Sequence, residues 1–198
     1  MNAARNVAIL IFNDVEVLDF CGPFEVFSAT GRSRDALPFR VFTVAENSGA
    51  ITARNGLSVN PAFTFADCPA PDILVVPGGY GTRRLLENER VLDWIREQSV
   101  RVELLLSVCT GSLLLAKAGL LNGAEATTHH LALELLRQLA PAAIVRPDKR
   151  FIDNGRVIVA AGVAAGIDMS LHVVARLLGM EEALATAQYI EYPWRDEP

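Results

Sequence analysis

The chain has 198 residues, of which 51% are hydrophobic and 21% charged, and it carries a formal net charge of −5. That length suits one compact domain, 1–198, with a core that needs no disulfide or metal staple, and the composition excludes a disordered chain. The negative balance, with no basic stripe to neutralise phosphates, argues against a nucleic-acid partner.

Taken in chain order, Val7–Phe12 (VAILIF) is a short continuous apolar run, the pattern of a strand buried on both faces. The segment Asn13–Pro23 reads as a loop, followed by a helical stretch, Phe24–Ala29. Phe39–Ala45 alternates and is rich in valine and phenylalanine, so it predicts a second strand. Arg54-Asn55-Gly56 between "ITA" and "LSV" predicts a hairpin. Ile73–Val76 is another buried strand, closed by Pro77-Gly78-Gly79, and the apolar spacing over Thr82–Gln98 is that of a helix.

Val102–Val108 predicts a central strand, and Gly111–Ala118 a helix that Gly119 ends. Leu131–Leu139 is helical and stops before Pro141. Asp153-Asn154-Gly155 within Phe151–Val159 predicts a second hairpin. Two helices close the chain, Ala164–Leu178, ended by Gly179, and Glu181–Ile190. Strands alternating with helices imply a mostly parallel sheet covered on both faces, a doubly wound α/β fold. Ligands of such sheets bind beyond the carboxyl ends of the strands.

Met1 to Arg5 lacks the apolar segment of a secretory signal, and the apolar runs fall short of the ~18 residues that suggest a membrane span. Cys21, Cys68 and Cys109 are odd in number and irregular in spacing, which indicates neither a disulfide framework nor a zinc site. The expectation is a protein of the reducing cytoplasm without a membrane partner.

Cys109 stands at the carboxyl end of its strand, where Ser107-Val108-Cys109-Thr110-Gly111-Ser112 turns into a helix. An abrupt strand-to-helix corner exposes its residue as a nucleophile elbow does. The nearby helix N-terminus favours an anion, which predicts a lowered thiol pKa. The Thr110 N–H is placed to receive developing negative charge. On position alone, a second reading stands beside this one: a small buried apolar residue. Asp19, between Leu18 and Phe20, is either a carboxylate whose pKa its apolar neighbours raise, suited to proton exchange, or a helix cap. Gly78 and Gly79 let backbone N–H groups approach a substrate, or simply form a turn. His129, His130 and His172 are candidates for pairing with a cysteine, with core or capping roles as the alternative. Asp168 reads as a first-turn residue of its helix, Cys21 as packing, and Cys68 as incidental.

Together these segments resemble the ThiJ/PfpI superfamily, the class I glutamine amidotransferase-like fold. The resemblance rests on the strand ending in Phe12, on Leu18-Asp19-Phe20-Cys21-Gly22-Pro23, on Ile73–Gly79 and on Ser107–Ser112, together with Ala126–His129 and Ala165-Gly166-Ile167-Asp168. In combination they are similar to the branch containing isocyanide hydratase and the sensor domains of AraC-type regulators. The resemblance implies a flavodoxin-like sandwich and a homodimer, with Cys109 as nucleophile, Asp19 as its hydrogen-bonded acid and Thr110 as the threonine that follows the cysteine. Threonine at 110 departs from the proteases, which have histidine there, and aspartate at 19 from the glyoxalase-type members. No counterpart of the amidotransferase His-Glu pair is found. The chain ends at Pro198 soon after its last helix, so a DNA-binding regulator is not the expectation.

The implied chemistry is a hydro-lyase reaction. Cys109 attacks the terminal carbon of an isocyanide, Asp19 supplies a proton to the thioimidate, and hydration releases an N-formamide. Thr110 and the N–H groups of Gly78 and Gly79 would position water or stabilise charge, with no metal or organic cofactor. Two alternatives remain: a small-molecule or redox sensor without turnover, and glyoxalase-type hydration of 2-oxoaldehydes.

Overall fold

The computed structural model describes residues 4–32 and 37–194. Its elements run β1 (Arg5–Leu10), α1 (Val17–Ala29), β2 (Phe39–Ala45), β3 (Ile51–Thr52), β4 (Ser58–Val59), β5 (Phe63–Thr64), β6 (Ile73–Val76), α2 (Thr82–Leu85) and α3 (Glu89–Ser99). They continue with β7 (Leu104–Val108), α4 (Gly111–Lys117), β8 (Glu125–Ala126), α5 (Leu133–Leu139), β9 (Ile144–Val145), β10 (Phe151–Asp153), β11 (Val157–Ala160), α6 (Ala165–Leu178) and α7 (Met180–Tyr189).

Seven strands form one sheet in the order β10-β11-β7-β6-β1-β2-β5, parallel except where β10 turns back on β11. This is the flavodoxin-like α/β sandwich that the alternation of strands and helices predicts. Strands β6 and β7 are buried at every position, because helices cover both faces of the sheet. Leu106 pairs with Val75 on one side and Ile158 on the other, and it is wholly buried. Leu106→Ala is therefore expected to cost about 2–5 kcal/mol of stability, read as a lowered denaturant midpoint.

Three departures from the sequence expectations have physical causes. Residues 13–23 are not one loop: α1 starts at Val17 and runs through Pro23, whose missing N–H takes one bond out of the helix. The helix packs against α6. A side chain at Gly22 would meet Ile167 at 3.0 Å, so the two helices approach closely there. The expected helix over 82–98 is two helices, because Asn88 takes an extended conformation and caps α3 by accepting the Val91 N–H. Residues 130–132 form a tight 3-10 turn before α5 begins at Leu133.

Both predicted hairpins form, β3–β4 around Arg54–Gly56 and β10–β11 around Asn154-Gly155. Their φ > 0 residues are Asn55, Gly56 and Gly155. Among the described residues no helix is long and apolar enough to cross a membrane.

Candidate active site

Cys109 directly follows β7 and faces Asp19 of α1, with the loop after β6 bonded to its neighbour Thr110. Its amide donates to the carbonyls of Ala160 and Ala161, at 3.1 and 2.7 Å, which ties the residue to the end of β11. Its φ is +56°, in the left-handed region that residues with a side chain rarely enter. A strained corner of this kind is the geometry of an elbow, and the surrounding bonds hold it there. The Thr128 hydroxyl donates to the Cys109 carbonyl at 2.8 Å, and the Ser112 hydroxyl does so at 3.1 Å.

The sulfur is not displayed to solvent: Cys109 is 5% exposed. Two backbone N–H groups, from Thr110 and Val163, bond to it and draw its pKa down. Burial and the negative charge of Asp19 act the other way and win, pushing the thiol up to about 12. The lowered pKa expected of the elbow is thus corrected, because burial of the thiol and a facing carboxylate outweigh the N–H groups. Val163 also lies at positive φ, +45°, so two strained residues flank the sulfur.

Asp19 is fully buried in the first turn of α1, whose N-cap residue is Glu16. It therefore does not cap that helix; its carboxyl crosses to the β6 loop. There Oδ2 accepts the Gly78 N–H at 3.0 Å, while Oδ1 is buried without a hydrogen-bond partner of ordinary geometry. Burial raises the Asp19 pKa to about 7, against the lowering effect of its bonds to Gly78 and Cys109. Two buried acids beside each other cannot both ionise, so near neutral pH they hold at least one proton between them.

Gly78 and Gly79 do something other than face a substrate. The Gly78 N–H is spent on Asp19, and the Gly79 N–H donates to Thr110 Oγ1 at 2.9 Å. The Thr110 hydroxyl also lies 3.2 Å from the Gly79 carbonyl and from Thr82 Oγ1, which makes it a strut between the β6 and β7 loops. A Cβ at residue 78 would lie 2.5 Å from Thr110 N, 2.7 Å from Thr110 Oγ1 and 2.9 Å from Asp19 Oδ2. Only glycine allows that approach. Gly78→Ala is expected to lose about 1–3 kcal/mol of stability through overpacking and to displace Asp19. The denaturant midpoint checks the first effect and turnover the second.

Of the remaining candidates, none of the three histidines is among the groups that shift the Cys109 thiol. His172 pairs with Asp153 at 2.9 Å, beside the β10–β11 hairpin. His129 Nδ1 accepts the Leu131 N–H, and its ring lies 4.3 Å from that of His130. Asp168 is bound by Arg150 Nε at 2.5 Å and by the Tyr192 hydroxyl at 3.2 Å, a structural cluster at the start of α6. The Cys68 thiol donates to the Pro69 carbonyl, and Cys21 is half-buried on α1 with its pKa raised by burial.

Sequence reasoning missed Val163, Thr128 and Thr82. Thr128 lies inside the quoted Ala126–His129 segment, so a signal for it existed. Val163 contributes a backbone N–H, which no side chain announces.

A buried cysteine on a left-handed corner, with a buried carboxyl facing it, defines an α/β sandwich protein with a thiol–acid pair at the carboxyl ends of its strands. The chain belongs to the DJ-1/PfpI family, whose model matches residues 5–176. It is 36% identical over 190 residues to an isonitrile hydratase of Pseudomonas putida, covering 96% of this chain and 79% of that one. It is 26% identical over 188 residues to the HTH-type transcriptional regulator GbdR of Pseudomonas aeruginosa, covering 95% of this chain but only 51% of the regulator. The chain thus spans about half the length of that regulator. Among solved structures, a ThiJ/PfpI family protein from Pseudomonas syringae superposes with a TM-score of 0.87 at 29% identity, over 98% of this chain and 77% of that one.

Proposed function

We propose that this protein is a hydro-lyase that adds water to isocyanides through a thioimidate on Cys109. The observation that carries the reading is the buried Asp19–Cys109 pair, in which the carboxyl pKa lies near neutrality and the thiol keeps its proton. Such a pair moves one proton without outside help. Asp19 takes the thiol proton as sulfur bonds to the terminal carbon of R–NC. It then delivers that proton to the same carbon, giving R–N=CH–S–Cys109. Water adds across the C=N bond, its hydroxyl to carbon and its proton to nitrogen. Collapse of R–NH–CH(OH)–S–Cys109 releases R–NH–CHO as the hydroxyl proton returns to sulfur. The cycle consumes one water and needs no metal or organic cofactor. Likeness to the isonitrile hydratase supports the substrate class.

Small-molecule turnover by a homodimer in the cytoplasm belongs to the same proposal. The second reading, a ligand sensor, draws on the likeness to GbdR. Redox sensing fits less well, since oxidation needs an accessible thiolate and this thiol is buried and protonated. The test is formation of N-phenylformamide from phenyl isocyanide, followed chromatographically. Turnover supports the hydratase; no turnover, with methylglyoxal also unchanged, overturns both enzyme readings in favour of the sensor.

A further inference from the structure

Beside the sulfur lies a cleft of about 330 Å³, whose lining includes Thr128, His129, Lys149, Gly162 and Val163. That volume is at the small end of ligand sites. Val163 gives its N–H to the sulfur, and Thr128 holds the Cys109 carbonyl, so two residues of the cleft lining bond to Cys109.

Most charged groups around the cleft are ion-paired with one another. Asp148 is gripped by Arg146, with nitrogen–oxygen distances of 3.3 and 3.2 Å, and Arg150 is held by Asp168. Arg83 and Glu16, one of each sign, act on His129 in opposite directions. Lys149 makes no ion pair within 4 Å among the described residues; its charge and that of Arg146, which also binds Glu125 at 2.8 Å, both act on Asp148. Beside Lys149, His129 offers a directed neutral donor. Its Nδ1 accepts the Leu131 N–H, which assigns the proton to Nε2. The edge of the ring that carries Nε2 lies over Gly162, where a Cβ would meet Cδ2 at 2.6 Å and Nε2 at 3.5 Å. Glycine at 162 leaves room for that edge, one residue from the N–H that touches the sulfur.

We propose that this cleft binds the carboxylate of an isocyanide that bears one, with Lys149 as its counter-ion and the His129 Nε2–H as its hydrogen-bond donor. The inference rests on the hydratase reading and names its substrate class. A carboxylate here gains a charge-assisted hydrogen bond, and one extra negative charge is what separates it from an ester of similar size.

The experiment compares isocyanoacetate with methyl isocyanoacetate as substrates. It also compares N-formylglycine with its methyl ester as ligands, by calorimetric titration of the unmodified protein. The acid is expected to exceed the ester about tenfold or more, in kcat/KM through a lower KM and in binding constant. Lys149→Gln should bring both ratios down about tenfold, and Lys149→Arg should restore much of them, a rescue that a merely structural role would not give. Turnover of both isocyanides with no preference for the acid overturns the inference and leaves the hydratase standing. Turnover of neither while phenyl isocyanide is hydrated overturns the inference, and loss of phenyl isocyanide turnover as well overturns the hydratase reading. The binding ratio then decides separately: a Lys149-dependent preference for N-formylglycine supports an anion cleft, and equal binding overturns it.

Discussion

Cys109→Ala is expected to form no N-phenylformamide from phenyl isocyanide, a loss of roughly 10,000-fold or more, because no other group near the cleft can form the carbon–sulfur bond. The fold should survive the change. Alanine removes only the sulfur, and the backbone bonds to Ala160 and Ala161 that hold the left-handed corner remain. An unchanged far-ultraviolet circular dichroism spectrum with abolished turnover would therefore locate the loss in the chemistry. A variant that still forms the formamide at a comparable rate would sink the covalent mechanism. The reaction would then have to run by direct hydration, with Asp19 as the only acid.

Asp19→Asn is expected to lose about 100- to 10,000-fold in kcat/KM, the usual range for removing a positioned acid–base group. Asparagine keeps the shape and can still accept the Gly78 N–H, so the loss would report the missing proton transfer. In the parent, the proton count of the pair sets the pH profile. With the Asp19 pKa raised to about 7, the carboxylate that takes the thiol proton forms as pH rises through that value, so kcat/KM should climb through about pH 7. The variant should lack that limb. Stability follows the same linkage. A carboxyl whose folded pKa is raised favours the fold below its unfolded value, near 3.8, and loses that contribution as pH rises through about 7. Melting at pH 5 and pH 8 should show a fall in stability for the parent and a smaller one for Asp19→Asn. A parent whose melting temperature does not change between these values would contradict the burial-driven shift.

Much of the architecture is legible in a linear reading. The runs Phe39–Ala45 and Ile73–Val76 match β2 and β6 residue for residue, and both hairpins form where Asn-Gly pairs mark them. These signals are local: burial on both faces writes a continuous apolar run, and a φ > 0 turn asks for Asn or Gly. Where local and tertiary demands conflict, the local reading fails. Pro23 suggests a boundary, yet α1 runs through it, because Gly22 and its contact with Ile167 seat that helix against α6. The short strands β5, β8 and β9 have two residues each, too few for any period to show.

For the candidate site, the residue types and their place at the strand ends follow from sequence alone: a cysteine on a strand-to-helix corner and an acid among apolar neighbours. What those groups are, electrostatically, was decided by the tertiary structure. Asp19 meets the Gly78 amide across 59 residues, and Gly79 meets Thr110 across 31. These contacts consume the N–H groups that the linear reading assigned to substrate. Helix position by itself predicts a lowered thiol pKa. Burial beside Asp19 reverses the sign, because the cost of ionising a group depends on every dipole, charge and water around it, and most of those come from distant parts of the chain. Periodicity and turn chemistry are properties of a few consecutive residues, whereas a proton shared between two buried side chains exists only once the strands have brought them together.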